Sequence, residues 1–167
     1  MPSLVSLSPL TLADGPEFVA AALGSHRLHG RWVHPPQDLA AFAQRLEHLQ
    51  APSGLWLGVR RRDSGALAGS IELSQIVLGS FRSAYLAYLA FEGHAGQGLM
   101  RAGVGLAVRH AFGPLKLHRL EANIQPENQA SIALVKSCGF EREGYSPRYL
   151  KIGGRWRDHE RWAIRAD

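Results

Sequence analysis

Apolar positions alternate over residues 4–10, LVSLSPL, and this period of two predicts a first strand. Pro9 has no N–H to give to a ladder, so that strand belongs at a sheet edge. Asp14 and Pro16 open a helix expected to reach about Leu23, with the aspartate as its cap. Residues 25–36 have no period, and Trp32 followed by His34-Pro35-Pro36 marks a loop. Leu39, Phe42, Leu46 and Leu49 recur at three and four, which predicts a helix over residues 38–49. Residues 55–59 and 66–73 read as two strands, joined by a hairpin turn at 60–65 with Asp63 and Gly65 as turn residues. Residues 75–81 read as a connection, and residues 84–91 as the next strand.

The second half begins with a helix over residues 99–112, carrying Met100, Val104, Val108 and Ala111 on one face. Gly103 and Gly105 inside it each cost about 1 kcal/mol relative to alanine, which close packing of helix on sheet would explain. Residues 116–124 form a strand with Leu120, Ala122 and Ile124 on one side and Arg119, Glu121 and Asn123 on the other. Gln125-Pro126-Glu127-Asn128 starts a further helix through Ser131 and Val135, and Gly139 ends it as a C′ glycine. A strand over 140–149, a turn at Gly153-Gly154 and a last strand over 156–164 complete the chain. Hairpins at both ends and a strand–helix–strand crossover over 84–124 predict an α/β (α+β) fold. Its sheet is mixed and largely antiparallel, with helices on both faces. No repeat, low-complexity tract or linker divides the 167 residues, so one domain spanning 1–167 is expected.

Everything turns on the stretch between the strand at 84–91 and the helix at 99–112. It reads Glu92-Gly93-His94-Ala95-Gly96-Gln97-Gly98-Leu99-Met100-Arg101. Strand, glycine-rich turn and helix start present bare N–H groups and the positive end of a helix dipole, a site suited to phosphates. There is no GxxxxGK[ST], and the glycines lack the GxGxxG order, which sets aside the two commonest nucleotide motifs. A plain tight connection is the alternative. Arg101 lies in the first turn, where the dipole disfavours a cation. A bound phosphate would offset that; so would a side chain reaching into solvent.

The net charge of +5 suits an acidic ligand, but the arginines are scattered. Arg60-Arg61-Arg62 resembles a nucleic-acid patch, yet a solvated hairpin tip explains it more simply, so no direct nucleic-acid binding is expected. The single cysteine, Cys138, excludes an internal disulfide and reads as a small core residue, since no His–Asp pattern accompanies it. No apolar run approaches the roughly 18 residues that span a bilayer, and no leader pattern opens the chain. A cytoplasmic location without membrane contact is therefore expected. Eight histidines show neither HExxH nor paired Cys/His spacing, so no metal site is expected.

Three blocks now fall together: Gly96-Gln97-Gly98-Leu99-Met100, then Asn123-Ile124-Gln125-Pro126-Glu127-Asn128-Gln129-Ala130-Ser131, then Gly139-Phe140-Glu141-Arg142-Glu143-Gly144. They resemble the GNAT superfamily of N-acetyltransferases, and within it the RimJ/RimL group of ribosomal-protein N-terminal alanine acetyltransferases. The ending Tyr149-Leu150-Lys151-Ile152-Gly153-Gly154-Arg155-Trp156-Arg157-Asp158-His159 is similar to the RimJ branch. The resemblance covers residues 66–164 and, more loosely, the whole chain. It implies acetyl-CoA as co-substrate, held in a V-shaped opening between the parallel strands 84–91 and 116–124. The backbone of Leu89, Ala90 and Phe91 would pair with the pantetheine arm. The N–H groups of Gly96, Gln97, Gly98, Leu99, Met100 and Arg101 would hold the pyrophosphate. Asn128 would bond to pantetheine or brace the strands, and Ser131 would protonate the leaving thiolate. Without the resemblance, Asn128 is a helix-start residue and Ser131 bonds back to its own helix. The chain departs from the family pattern at Ala95, usually Gln or Arg, and at Met100, usually Gly or Ala but commonly Met in the RimJ/RimL branch. It also has Arg148 where RimL-like members carry an acidic residue before the Tyr-Leu pair.

The implied reaction is attack of a neutral amine on the thioester. A free α-amine, with a pKa of about 7.7–8.0, is partly neutral near pH 7.5, whereas a lysine at about 10.4 needs far more help. A protein N-terminus, as on a ribosomal protein, is the expected acceptor. A small amine (an amino acid, an aminoglycoside or another metabolite) is the alternative, and a silent acyl-CoA-binding protein is a third reading. Arg27, Arg31 and Arg82 would repel a polycationic aminoglycoside. Glu72 and Glu92 are the candidate bases, acting through water, and Tyr145 and Tyr149 are alternative acids to Ser131. A homodimer is left open.

Overall fold

The computed structural model describes all 167 residues. Its seven strands are β1 (Val5–Pro9), β2 (Leu55–Arg61), β3 (Leu67–Val77), β4 (Ser83–Ala90), β5 (Arg119–Ile124), β6 (Glu141–Ile152) and β7 (Arg155–Arg165). Its helices are α1 (Gly15–Leu23), α2 (His26–His29), α3 (Leu39–His48), α4 (Leu99–Phe112) and α5 (Gln129–Ser137). The strands form one sheet in the order β1-β2-β3-β4-β5-β7-β6. Every neighbouring pair is antiparallel except β4 and β5. This is the mixed, largely antiparallel sheet expected from the hairpins and the single crossover.

The alternation along β2 shows why helices cover both faces. Leu57 and Val59 enter a large core with Val104 and Ala107 of α4 and Ile132 and Val135 of α5. Trp56, just before them in sequence, points to the other face and enters a second core with Phe18 of α1, Phe42 of α3 and Phe91. The Phe18 ring has centroids of Phe42, Trp56 and Phe91 at 5.2, 5.0 and 5.2 Å. Truncating so central an aromatic to alanine costs about 3–5 kcal/mol. No helix is long and apolar enough to cross a membrane.

Several local expectations need correction. The stretch 25–36 contains α2, a single turn too short to show a period. β3 does not stop at Leu73: it continues to Val77 through an irregularity at Gln75, where φ is 47°. The strand after α4 starts at Arg119 rather than Lys116, whose φ of 54° places it in the turn. Asp14 does not cap α1; its carboxylate accepts from the Thr11 N–H and pairs with Arg60. The hairpin tip is solvent-exposed from Arg62 to Gly65, as expected, but its arginines are paired rather than free. Arg60 binds Asp14 and Glu17, Arg61 binds Asp63 and Gln97, and Arg62 donates to the Val5 carbonyl. Close packing explains Gly103, where a Cβ would lie 3.2 Å from Val59, but not Gly105, which faces open space.

Candidate active site

β4 and β5 pair over three positions only: Ser83 with Arg119, Ala84 with Leu120, and Tyr85 with Glu121. Beyond Tyr85 each strand follows its other neighbour. β4 stays with β3 as far as Gly69–Ala90, and β5 stays with β7 as far as Ile124–Glu160. The parallel pair therefore opens into a wedge. The Phe91 N–H donates to the Ala68 carbonyl at 2.8 Å. In an antiparallel ladder alternate residues point their peptide groups to the same side, so Leu89 and Phe91 face β3 while Tyr88 and Ala90 face the wedge. Of the three backbone positions expected to meet pantetheine, Ala90 alone faces the opening. Phe91 is corrected: its amide is spent within the sheet and its ring is buried in the second core. Leu89 lines the opening, but its peptide groups are turned to β3.

The Ala90 carbonyl is itself occupied. It accepts from Nε2 of His29, a buried residue on α2, at 2.8 Å. Burial pulls the His29 pKa below its ordinary value, opposed by this bond and by the charge of Glu92. What remains for a ligand on this edge is the Ala90 N–H and the peptide groups of Tyr88.

The wedge leads into a cavity of about 720 Å³. Gly93, Gly96 and Gly98 hold φ of 87°, 74° and 76°, a region in which L side chains are strained. No atom lies within 4 Å of a Cβ at any of the three, so the glycines serve the backbone path rather than close packing. Gly98 is the left-handed N-cap of α4, and no side chain caps that helix. Its first-turn donors and dipole face a cavity whose wall carries Arg27 and Arg101 and no carboxylate. Open donors, cations and room fit the phosphates of CoA. Leu99 and Met100 line the same wall while also packing in the core. The Gln97 side chain accepts from Arg61 and donates to the Gly93 carbonyl, and so braces the turn while its backbone N–H stays in the glycine turn.

Asn128 caps α5, accepting the Ser131 N–H on Oδ1 at 3.3 Å. The cap uses the carbonyl end of the amide and leaves the NH₂ end for the cavity that Asn128 lines. Ser131 does not bond back to its helix through its hydroxyl. Its Oγ lies 2.6 Å from the Tyr88 hydroxyl, and the same hydroxyl is 3.1 Å from the Ser131 carbonyl. Burial pushes the Tyr88 phenol up to about 12, against the opposing pull of the Ser131 hydrogen bond.

A second cavity, of about 410 Å³, lies beside the first. Trp32, Val33, Tyr88 and Leu89 line both. Glu72 stands in the second cavity with Oε2 2.5 Å from Arg45 Nη2. Glu92 is corrected as a base: it is exposed and lines neither cavity. Tyr145 and Tyr149 also stand outside both. The Tyr145 hydroxyl donates to Asp158, which accepts the Arg148 N–H on its other oxygen. Cys138 is half-buried with its thiol pKa raised by burial, as befits a packing residue. Tyr88 and His29 are the site residues that pattern reading missed. Tyr88 looks like one more aromatic in a strand, and His29 falls in a stretch without a period.

The chain belongs to the acetyltransferase (GNAT) domain family, which matches residues 5–141. Family and RimJ/RimL-like branch agree with the motifs. It is 36% identical over 118 residues to the probable N-acetyltransferase YjcK of Bacillus subtilis, covering 71% of this chain and 65% of that protein. It is 37% identical over 107 residues to the ribosomal protein uS5-alanine N-acetyltransferase of Escherichia coli, covering 64% of this chain and 55% of that protein. The matched stretch thus spans less than two thirds of either relative. The RimJ structure of Mycobacterium smegmatis in complex with CoA-disulfide superposes with a TM-score of 0.89 at 27% identity, covering 97% of this chain and 82% of that one. A spermidine N-acetyltransferase from Vibrio cholerae, solved with CoA and spermine, has a TM-score of 0.82 at 22% identity, covering 97% and 95%; that likeness is one of fold.

Proposed function

We propose that this protein transfers an acetyl group from acetyl-CoA to the α-amino group of a protein N-terminus. The observation that carries the reading is the meeting of two unlike cavities at Tyr88 and Leu89, where β4 leaves β5. Bound acetyl-CoA supplies an activated acetyl thioester. The N–H groups from Gly96 to Arg101 hold the pyrophosphate, with Arg27 and Arg101 as counter-charges. The Ala90 N–H, the Tyr88 peptide and the Asn128 amide hold the pantetheine arm. Ser131 keeps a proton at Oγ on the cavity wall, where it can reach a departing sulfur.

The second cavity receives the amine. Its one carboxylate, Glu72, is held by Arg45, and Lys151 stands on the same wall. A polyamine brings several ammonium groups and needs several carboxylates; here it meets two cations and one committed acid. A peptide N-terminus brings a single amine followed by neutral backbone. Glu72 orients that amine and takes its proton through water. The amine needs little more than this, because an α-amino group is already partly neutral near pH 7.5. Positioning between the two cavities then supplies most of the acceleration.

The deciding experiment incubates the protein with acetyl-CoA and a panel of peptides differing in first residue, N-blocked peptides with free lysine, polyamines and aminoglycosides. Mass spectrometry reads the products. Acetylation confined to free N-termini is expected. Acetylation confined to polyamines or other small amines would overturn the acceptor, and CoA binding without acetylation of anything would overturn the enzyme.

A further inference from the structure

We infer that Tyr88, which lines both cavities, is a positioning residue: its phenol fixes the Ser131 hydroxyl on the wall of the larger one. The inference rests on the proton role assigned to Ser131 above.

The contact joins two elements that lie far apart in the chain. Tyr88 lies on β4 past its last pair with β5, and Ser131 lies in the first turn of α5. The phenol reaches both the Ser131 Oγ, at 2.6 Å, and the Ser131 carbonyl, at 3.1 Å. Two hydroxyl hydrogens serve these two contacts, so two arrangements exist. In the first, Tyr88 donates to the carbonyl and Ser131 donates to the phenol oxygen; the serine hydrogen is then turned from the cavity. In the second, Tyr88 donates to Oγ and the serine hydrogen is free. Passing from one to the other requires rotation of two hydroxyls and no movement of heavy atoms.

The second arrangement is the working one. The Ser131 O–H bond breaks as an S–H bond forms on the leaving sulfur, and the Tyr88 hydrogen bond stabilises the charge developing on Oγ. Glu72 has by then taken the ammonium proton; the neutral nitrogen loses one more in becoming an amide, and this second proton restores the serine through water. One N–H is lost, one S–H is gained, and neither hydroxyl ends ionised. Tyr88 keeps its own proton because the proton from nitrogen reaches Oγ as the serine proton leaves, so no free alkoxide forms beside the phenol.

The test compares the wild type with Tyr88→Phe, Ser131→Ala and the double variant. Phenylalanine preserves the ring and its packing, so the fold is kept. Y88F is expected to lower kcat about tenfold to a hundredfold with KM for acetyl-CoA unchanged. In the S131A background the same change should cost nothing further. Three-bond NMR couplings of the free protein give a second readout: one Ser131 χ1 rotamer in the wild type, averaging in Y88F. Additive kinetic losses, or an unchanged rotamer in Y88F, would overturn the positioning role. If S131A keeps full turnover, the proton role of Ser131 falls and the inference falls with it. If S131A is impaired while Y88F is not, that role stands and the inference alone fails.

Discussion

The imidazole of His29 donates from Nε2 to the carbonyl of Ala90 at 2.8 Å, so a helix of one turn holds the end of the strand that borders the wedge. Burial depresses the His29 pKa in the folded protein, while an unfolded histidine titrates near 6.5. The unfolded chain therefore binds more protons in the interval between the two values. Stability is full above about 6.5 and falls as pH drops through the folded value. His159, also depressed by burial, adds in the same direction. We expect thermal unfolding to move to lower temperature between pH 6.5 and 5, above the range where ordinary carboxylates titrate. In H29Q that loss should be smaller than in the wild type. An unchanged slope in H29Q would remove His29 as a source.

Two glycines separate backbone necessity from habit. A Cβ at Gly69 would lie within 2.3 Å of the Leu89 carbonyl oxygen and 2.7 Å of Met100 Sδ, so G69A must push β4 or α4 aside. Gly105 faces open space in a helix interior, where alanine is favoured by about 1 kcal/mol. Chemical denaturation should show G69A destabilised by more than about 2 kcal/mol and G105A stabilised by up to about 1 kcal/mol. A neutral G69A would mean that the strand and helix relax freely there.

How much of this was readable without coordinates depends on the range of the forces involved. α4 was legible to the residue because its period, its glycine cap and its length all agree locally. Asn128, Ser131 and Gly139 were legible because caps and motifs are short-range. The Tyr88–Ser131 contact was not, since it joins residues separated by 43 positions through a wedge that only the sheet order creates. The pairing of Arg60 with Asp14 and Glu17 was hidden for the same reason: a run of three arginines looks solvated until the carboxylates arrive from α1 and the turn before it. Glu92 misled in the opposite sense. Its place beside the glycine turn suggested chemistry, yet the turn points it outward.

Arg101 stands exposed in the first turn of α4, on the wall of the larger cavity. A cation there opposes the helix dipole, so its removal should stabilise the free protein slightly, by up to about 1 kcal/mol. The same removal takes a counter-charge from the proposed phosphate site. R101A is expected to bind CoA about tenfold more weakly by calorimetry and to show a shallower dependence on salt. Unchanged affinity with unchanged salt dependence would mean that Arg101 merely reaches into solvent.

Glu72 and Arg45 form the remaining test of the acceptor cavity. The Arg45 side chain is 49% exposed and that of Glu72 18%, so the pair contributes little to stability, about 1 kcal/mol or less. Its effect should instead appear in catalysis. In E72Q the shape of the cavity wall is kept while the carboxylate proposed to orient the amine and accept its proton is lost. Turnover of a free N-terminal peptide should fall about a hundredfold, while calorimetric CoA affinity stays constant because Glu72 lines only the second cavity. The loss should shrink as pH rises past about 8, where the α-amine becomes neutral by itself. A loss of equal size at every pH would leave Glu72 an orienting group and no base, and no loss at all would move the amine out of this cavity.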